Sequence, residues 1–175
     1  MSSTSTTTTH KALFLESKFG EFIIKDIPTP TPGPGEVLIK VKATALNPID
    51  WKMHRYGIYL EHYPALLGCE LAGDVEDVGE GVERFKKGDR VFVQADLPPA
   101  KASFQQYAIA LAATTALIPE SLSYDEAASI PVGLSTAYAA FFNPNPTGLG
   151  LEQPTSTNNT NANHAGEPIV VLGGL

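Results

Sequence analysis

The spacing of hydrophobic and polar residues over the first two thirds of the chain predicts a series of short β-strands. Residues 36–45 (EVLIKVKATA) alternate apolar and polar side chains, so one face of a half-buried strand would carry Val37, Ile39, Val41 and Ala43. Similar runs occupy residues 11–16, 22–27, 71–78, 90–94, 104–110 and 114–118. The first two runs, joined by a turn at Gly20, predict a β-hairpin. Many short strands separated by turns predict an all-β barrel or sandwich.

Two helices are predicted, both after the β region. Ser123 and Glu126 have the spacing of a capping box, in which the two side chains satisfy free backbone amides at the start of a helix. This first helix is short, because Pro131 interrupts it. Residues 133–142 (GLSTAYAAFF) are small and apolar, and they predict a second helix.

The composition changes after residue 142. Residues 143–166 are mostly Asn, Thr, Pro and Gly, which is typical of a linker. The final residues (PIVVLGGL) are an apolar run followed by the paired glycines Gly173 and Gly174. A dinucleotide-binding unit begins in the same order, with a strand and then a glycine-rich turn. We therefore predict a disordered tail at 1–10, a β barrel with connecting helices at 11–142, a flexible linker at 143–167 and the first strand of a nucleotide-binding domain at 168–175.

Composition narrows the class of protein. Hydrophobic residues make up 43% of the 175 residues, which is enough to bury a core. The net charge is −7, and the sequence contains no basic patch that would bind nucleic acid. The single cysteine, Cys69, excludes an internal disulfide. No apolar run is long enough to span a bilayer, and the Ser/Thr-rich first ten residues lack the apolar segment of a secretory signal. These features predict a cytoplasmic protein without a membrane partner.

Four segments occur in a specific order: ALNPIDWK at 45–52, LGCELAG at 67–73, GDRV at 88–91 and AASIPVGLSTAY at 127–138. Together they resemble the medium-chain dehydrogenase/reductase superfamily, over roughly residues 11–142 and the strand at 169–174. The resemblance implies a GroES-like β barrel followed by a Rossmann domain, of which this sequence contains only the first strand. The expected fold is therefore mainly β with a few helices.

The residues at the family's metal positions predict a zinc-free member. This chain resembles the zinc alcohol dehydrogenases, but those enzymes have a cysteine in the loop after the third strand and a His-Glu pair in the segment that corresponds to LGCELAG. Here residues 47–50 contain no cysteine, and Cys69, followed by Glu70, stands at the histidine position. Zinc needs three or four converging ligands, so these two residues alone do not form a site. The family's four-cysteine structural loop is also absent from the sequence. A small buried residue is the simpler interpretation of Cys69.

The sequence NPIDWK at 47–52 looks most like the fungal enoyl-reductase-like members, some of which act in trans on polyketide synthases. The resemblance implies that the nicotinamide end of NADPH is bordered by Ile49, Asp50, Trp51, Lys52 and Thr136. It also implies a substrate channel bordered by Ala137, Tyr138, Phe141, Phe142, Asn143 and Pro144.

The reaction implied by the resemblance is hydride transfer from NADPH to an activated carbon-carbon double bond of a small-molecule or carrier-bound enoyl substrate. Negative charge then develops on the carbonyl oxygen, where Lys52 would supply charge or a proton and the Thr136 hydroxyl a hydrogen bond. Simpler interpretations stay open: a solvated Lys52, a packing role for Thr136, a core position for Trp51 and a turn-capping role for Asp50.

Two other functions also stay open. The chain is compatible with a quinone or alcohol oxidoreductase of the same superfamily, and with a non-catalytic fragment in which the barrel only binds or scaffolds. The loop after the third strand does not decide between these substrates.

We expect the 175-residue chain alone to be inactive and to bind NADPH weakly or not at all. Dinucleotide phosphates are held by a glycine-rich turn and a helix N-terminus, and no helix follows Gly173 and Gly174 in this sequence. Calorimetric titration of the chain with NADPH checks this expectation, and a micromolar dissociation constant would contradict it.

Overall fold

Two antiparallel sheets form the first part of the chain. The computed structural model describes residues 8–96, 100–153, 166, 168, 170 and 171. It divides the chain into two compact units, Met1–Leu134 and Ser135–Leu175. The division falls eight residues before the predicted end of the barrel region at residue 142.

The strands of the first unit are β1 (Thr9–Leu15), β2 (Phe22–Pro28), β3 (Glu36–Ala43), β4 (Ala65–Leu66), β5 (Glu70–Val78), β6 (Arg90–Gln94), β7 (Tyr107–Leu111) and β8 (Ala116–Leu117). One sheet has the order β2-β1-β4, and the other has the order β7-β3-β5-β6-β8. All the pairings are antiparallel. The mainly β architecture predicted from the sequence is confirmed.

The alternation along β3 places its apolar residues in the main core. Val37 and Ile39 are fully buried, whereas Val41 is only partly buried at the edge of the cluster. Leu38 is buried on the opposite face, so β3 is less one-sided than its alternation predicts. The core cluster contains Val37, Ile39, Leu71, Val75, Phe85, Val91, Val93, Ala108 and Ala110.

The predicted hairpin is confirmed, with β1 and β2 paired through Leu13 and Ile24. Strand β1 begins at Thr9, so residues 9 and 10 belong to the sheet, although the sequence assigned them to the tail at 1–10; residues 1–7 lie outside the described part. His10 is buried, and its ring nitrogens lie 3.3 Å from Thr29 Oγ1 and 3.1 Å from Gln105 Oε1. A polar residue is tolerated here because both nitrogens have partners.

A helix stands where the sequence analysis placed a loop. Helix α1 covers Pro48–Tyr56 and ends at Gly57, which has a left-handed φ of 62° and donates its amide to the Met53 carbonyl. The expectation that helices occur only after the β region was wrong. Pro48 at the first helical position and Gly57 just past the last are the usual start and stop signals of a helix.

The two later helices are α2 (Tyr124–Ala128) and α3 (Pro131–Phe142). The predicted capping box is confirmed: Glu126 Oε2 accepts the Ser123 amide at 2.8 Å, and Ser123 Oγ accepts the Glu126 amide at 3.2 Å. Pro131 separates the helices as predicted, but it is itself the first residue of α3.

The second unit begins within α3. After the helix, Leu149 and Leu151 donate their amides to the carbonyls of Ala140 and Phe141, each at 2.9 Å. Residues 143–151 therefore form turns bonded to α3, in a segment predicted to be part of the linker at 143–167; residues 154–165 and 167 lie outside the described part. Of the strand predicted at 168–175, only residues 168, 170 and 171 are described, and none of the three is in a strand. No described helix has the length and apolar character needed to cross a membrane.

Candidate functional site

The four residues from Ile49 to Lys52 lie in the first two turns of α1, and the structure separates them into two pairs. Ile49 packs with Met53, one turn later, against a buried cluster that includes Leu15 and Leu67. This apolar contact fixes the inner face of α1. Ile49 is therefore part of the packing beneath the helix, and its predicted contact with a cofactor stays a prediction.

Asp50 also faces inward, with 6% of its surface exposed. Its Oδ2 accepts the backbone amide of Asn47 at 2.7 Å, and its Oδ1 lies 3.7 Å from the Cys69 sulfur, which donates to it. Burial raises the pKa of Asp50 above its ordinary value, and the Asn47 amide opposes that rise. The geometry matches the turn-capping interpretation, because the carboxylate closes the first turn of its own helix.

Trp51 and Lys52 face the other way. The Trp51 side chain is 51% exposed, and its ring meets the Tyr56 ring edge-on at 5.8 Å. The Lys52 ammonium lies 5.8 Å from the centre of the Trp51 ring. Within the described ranges, Lys52 makes no ion pair. An exposed indole and a partly buried lysine thus lie side by side, and the core interpretation of Trp51 is wrong.

Cys69 and Glu70 lie behind α1. Burial, followed by the Asp50 charge, raises the pKa of the Cys69 thiol to about 12. Glu70 is 2% exposed, and its two oxygens accept Asn47 Nδ2 at 2.6 Å and the Val132 amide at 2.8 Å. Zinc needs three or four converging ligands, and both Glu70 oxygens are already engaged in hydrogen bonds, which leaves Cys69 without enough neighbouring donors. The donor set does not fit zinc, and no described group of three His, Cys, Asp or Glu residues suits a metal ion.

The other predicted site residues belong to the second unit. Thr136 and Ala137 are exposed on α3, and Tyr138 packs its ring against that of Phe142 at 4.8 Å. Phe141 contacts the same ring at 6.2 Å. Asn143 donates its amide to the Ala139 carbonyl at 3.1 Å, and the Pro144 carbonyl accepts hydrogen bonds from the turn that follows it. That Thr136 and residues 137–144 border the same site as α1 stays a prediction.

The sequence analysis missed the polar network beneath α1. Besides its side-chain bonds, Glu70 accepts Thr44 Oγ1 at its backbone carbonyl, 2.7 Å away, and Ser103 Oγ lies 2.7 Å from the same hydroxyl. Two signals were available in the sequence. Asn47 precedes a proline, as an N-cap residue does, and Glu70 is a charged residue within the apolar run LGCELAG.

The fold and the sequence together place the chain in a known domain family. Residues 33–121 match the alcohol dehydrogenase GroES-like domain, and the chain belongs to that family, the N-terminal part of the medium-chain dehydrogenase/reductase superfamily. The chain is 39% identical over 142 residues to the dehydrogenase pigH of Monascus ruber, covering 76% of this chain and 38% of that protein.

A second relative is the trans-enoyl reductase resD of Aspergillus sclerotiorum, 37% identical, with 86% of this chain and 43% of that protein covered. Among solved structures, the quinone oxidoreductase from Coxiella burnetii superposes with a TM-score of 0.68 at 31% identity, covering 76% of this chain and 44% of that one. The chain thus spans less than half the length of each of these relatives.

Proposed function

We propose that this chain is the GroES-like domain of a zinc-independent, NADPH-dependent oxidoreductase that reduces an activated carbon-carbon double bond. The observation that carries the proposal is the Trp51–Lys52 pair on α1, an exposed indole next to a partly buried lysine, beside a donor set in which both Glu70 oxygens are already engaged. The similarity to a trans-enoyl reductase supports the choice of an enoyl substrate, free or bound to a carrier.

The Trp51–Lys52 pair fits a dinucleotide and an enoyl group. A nicotinamide ring is flat, and the exposed indole of Trp51 offers a flat apolar surface of the same kind. The hydride is the chemistry that NADPH supplies when bound. In this proposal the ammonium of Lys52 supplies a positive charge and donor hydrogens to the substrate carbonyl oxygen on which negative charge develops. The Thr136 hydroxyl is proposed as a second donor to that oxygen.

Quinone reduction is the second candidate. A quinone also gains negative charge on a carbonyl oxygen, so the same cation would stabilise it. The structural similarity to the Coxiella burnetii quinone oxidoreductase is the observation that favours it. The alcohol oxidoreductase and the non-catalytic binding fragment are the remaining alternatives.

A chimera tests the proposal, because the chain spans less than half of its relatives. Residues 1–142 replace the matching region of the Aspergillus sclerotiorum trans-enoyl reductase, and NADPH consumption is followed with an enoyl thioester, a quinone and an aldehyde. Turnover of the thioester that survives a metal chelator is the expected result. Preference for the quinone selects the second candidate, and loss of activity in chelator contradicts zinc independence. A folded chimera without turnover favours the binding fragment.

Replacing Lys52 by methionine should lower kcat/KM of that chimera about tenfold, because a partly exposed charge contributes on the order of 1 kcal/mol to stabilising the carbonyl oxygen. Lys25→Met is the matched control, since its ammonium also lies 5.8 Å from an aromatic ring, that of Phe14, but on β2. Steady-state kinetics of both variants check the prediction. Equal kcat/KM values for the two variants would remove Lys52 from the site.

A further inference from the structure

Glu70 connects two helices that are far apart in the sequence. It is the first residue of β5, and its carboxylate is almost completely buried. One oxygen accepts the side-chain amide of Asn47, the residue before α1, and the other accepts the backbone amide of Val132 in the first turn of α3. A single side chain therefore contacts the start of both helices.

A buried carboxylate is costly unless its charge is compensated. In the described part of the first unit, no lysine or arginine forms an ion pair with Glu70. Its compensation comes from N–H donors, and charge-assisted hydrogen bonds of this kind are about twice as strong as neutral ones. The amide at Val132 also belongs to the positive end of the α3 dipole. Moving either helix start away from Glu70 would leave a buried charge with half of its partners.

The two hydrogen bonds of the Glu70 carboxylate form a bridge between the helix starts, and its Asn47 side lies next to the proposed site. Asn47 donates its backbone amide to Asp50 and its side-chain amide to Glu70, so the first turn of α1 is held from both sides. Trp51 lies on that turn, and Lys52 follows it directly. The Thr44 hydroxyl, bonded to the Glu70 carbonyl, anchors the preceding loop to the same residue.

We propose that Glu70 is a positioning residue: its carboxylate holds the first turn of α1, and with it Trp51 and Lys52, in a fixed relation to the first turn of α3. The catalytic consequence rests on the proposed function. The positioning itself is measurable without turnover, because Trp51 is the only tryptophan in the chain and reports on α1.

Four variants separate the bridge from general stability. Glu70→Ala removes both acceptors. Glu70→Gln keeps a carbonyl for the Val132 amide, and a rotated Asn47 side chain can accept from its new amide group. Asn47→Asp keeps a good N-cap residue for α1 but replaces the donor by a carboxylate that repels Glu70. Glu83→Ala makes the same substitution as the first variant at an exposed position.

Two readouts are taken on the 175-residue chain: amide hydrogen exchange at Val132, and acrylamide quenching of Trp51 fluorescence. Glu70→Ala should speed Val132 exchange about tenfold, the effect of losing one hydrogen bond to a charged group, and should change the quenching of Trp51. Asn47→Asp should change both readouts. Glu70→Gln and Glu83→Ala should leave both near wild type.

Faster exchange at Val132 with unchanged Trp51 quenching in Glu70→Ala and Asn47→Asp would overturn the proposal, because Glu70 would then be only a local cap of α3. A Glu70→Gln variant that behaves like alanine would overturn the hydrogen-bonded bridge. If Glu70→Ala does not fold, the proposal is tested with Asn47→Asp and Glu70→Gln, using the same measurements of Val132 exchange and Trp51 quenching.

Kinetics of the chimera separate this proposal from the proposed function. If the chimera is active, Glu70→Ala should lower its kcat/KM when Lys52 is present. The same substitution should have little further effect in a chimera that already carries Lys52→Met. An effect of the same size in both backgrounds would contradict positioning of Lys52. A wild-type chimera without turnover would refute the proposed function alone, since the exchange and quenching results do not depend on activity.

Discussion

Cys69 in the folded protein should react with iodoacetamide at about pH 8 roughly a thousandfold more slowly than in the unfolded chain. The thiolate is the reactive form, and the fold raises the pKa of this thiol from 9.0 to about 12. Burial is the largest cause, followed by the negative charge of Asp50, to which the thiol donates. Mass spectrometry of alkylated protein over time, with and without urea, measures the ratio.

Asp50→Asn is the control for the electrostatic part of this effect. It removes the neighbouring charge but leaves the burial, so alkylation should be faster than in the wild type and still slower than in urea. Cys69 is only partly buried, less than the sequence predicted. Native and unfolded wild-type chains that react at the same rate would show that this partial burial and the Asp50 charge do not raise the pKa of the Cys69 thiol.

Gly68→Ala should destabilise the fold by about 2–4 kcal/mol, the sum of a backbone and a packing effect. Gly68 has a φ of +100°, which L residues rarely adopt. A Cβ there would stand 2.2 Å from Ser103 Oγ and 2.5 Å from Phe104 Cδ1. Both neighbours are held by backbone hydrogen bonds to Gly68 and Leu67, so neither moves away freely. Urea unfolding measures the loss.

Gly88→Ala separates the two causes. Gly88 has a similar φ of +91°, but a Cβ there meets nothing within 4 Å. Gly88→Ala should therefore lower the free energy of unfolding only by the backbone cost, about 1–2 kcal/mol. Equal losses at the two glycines would mean that the contact with Ser103 and Phe104 relaxes at no cost. The comparison also reports on the site, because Gly68 precedes Cys69 and Glu70.

The elements with strong local signals were predicted well. Strand β6 has the predicted bounds, Arg90–Gln94, and the capping box of Ser123 and Glu126 opens α2 as expected. Alternation and capping are properties of neighbouring residues, so they are visible in a short window of sequence. The segment Pro48–Tyr56 has a weaker apolar pattern, and its helix is stabilised by packing of Ile49 and Met53 on residues from other elements.

The resemblance gave Ile49, Asp50, Trp51 and Lys52 one common role, and the fold distributes them over two faces. Successive residues of an α-helix are rotated by about 100°, so neighbours in sequence point in different directions. Asp50 turns toward Cys69 and the core, whereas Trp51 is exposed and Lys52 lies beside its ring, partly buried. Once α1 is known to be a helix, this separation follows from its geometry; as a loop, the segment carried no such constraint.

By itself the sequence determined the β-rich architecture, most strand positions, the short capped helix and the family, because these depend on local periodicity and on ordered motifs. Only the tertiary structure decided what surrounds the candidate site. Glu70 lies 23 residues from Asn47 and 62 residues from Val132, yet it hydrogen-bonds to both. Bonds across such separations depend on how the strands and helices pack, and no local pattern of residues records that packing.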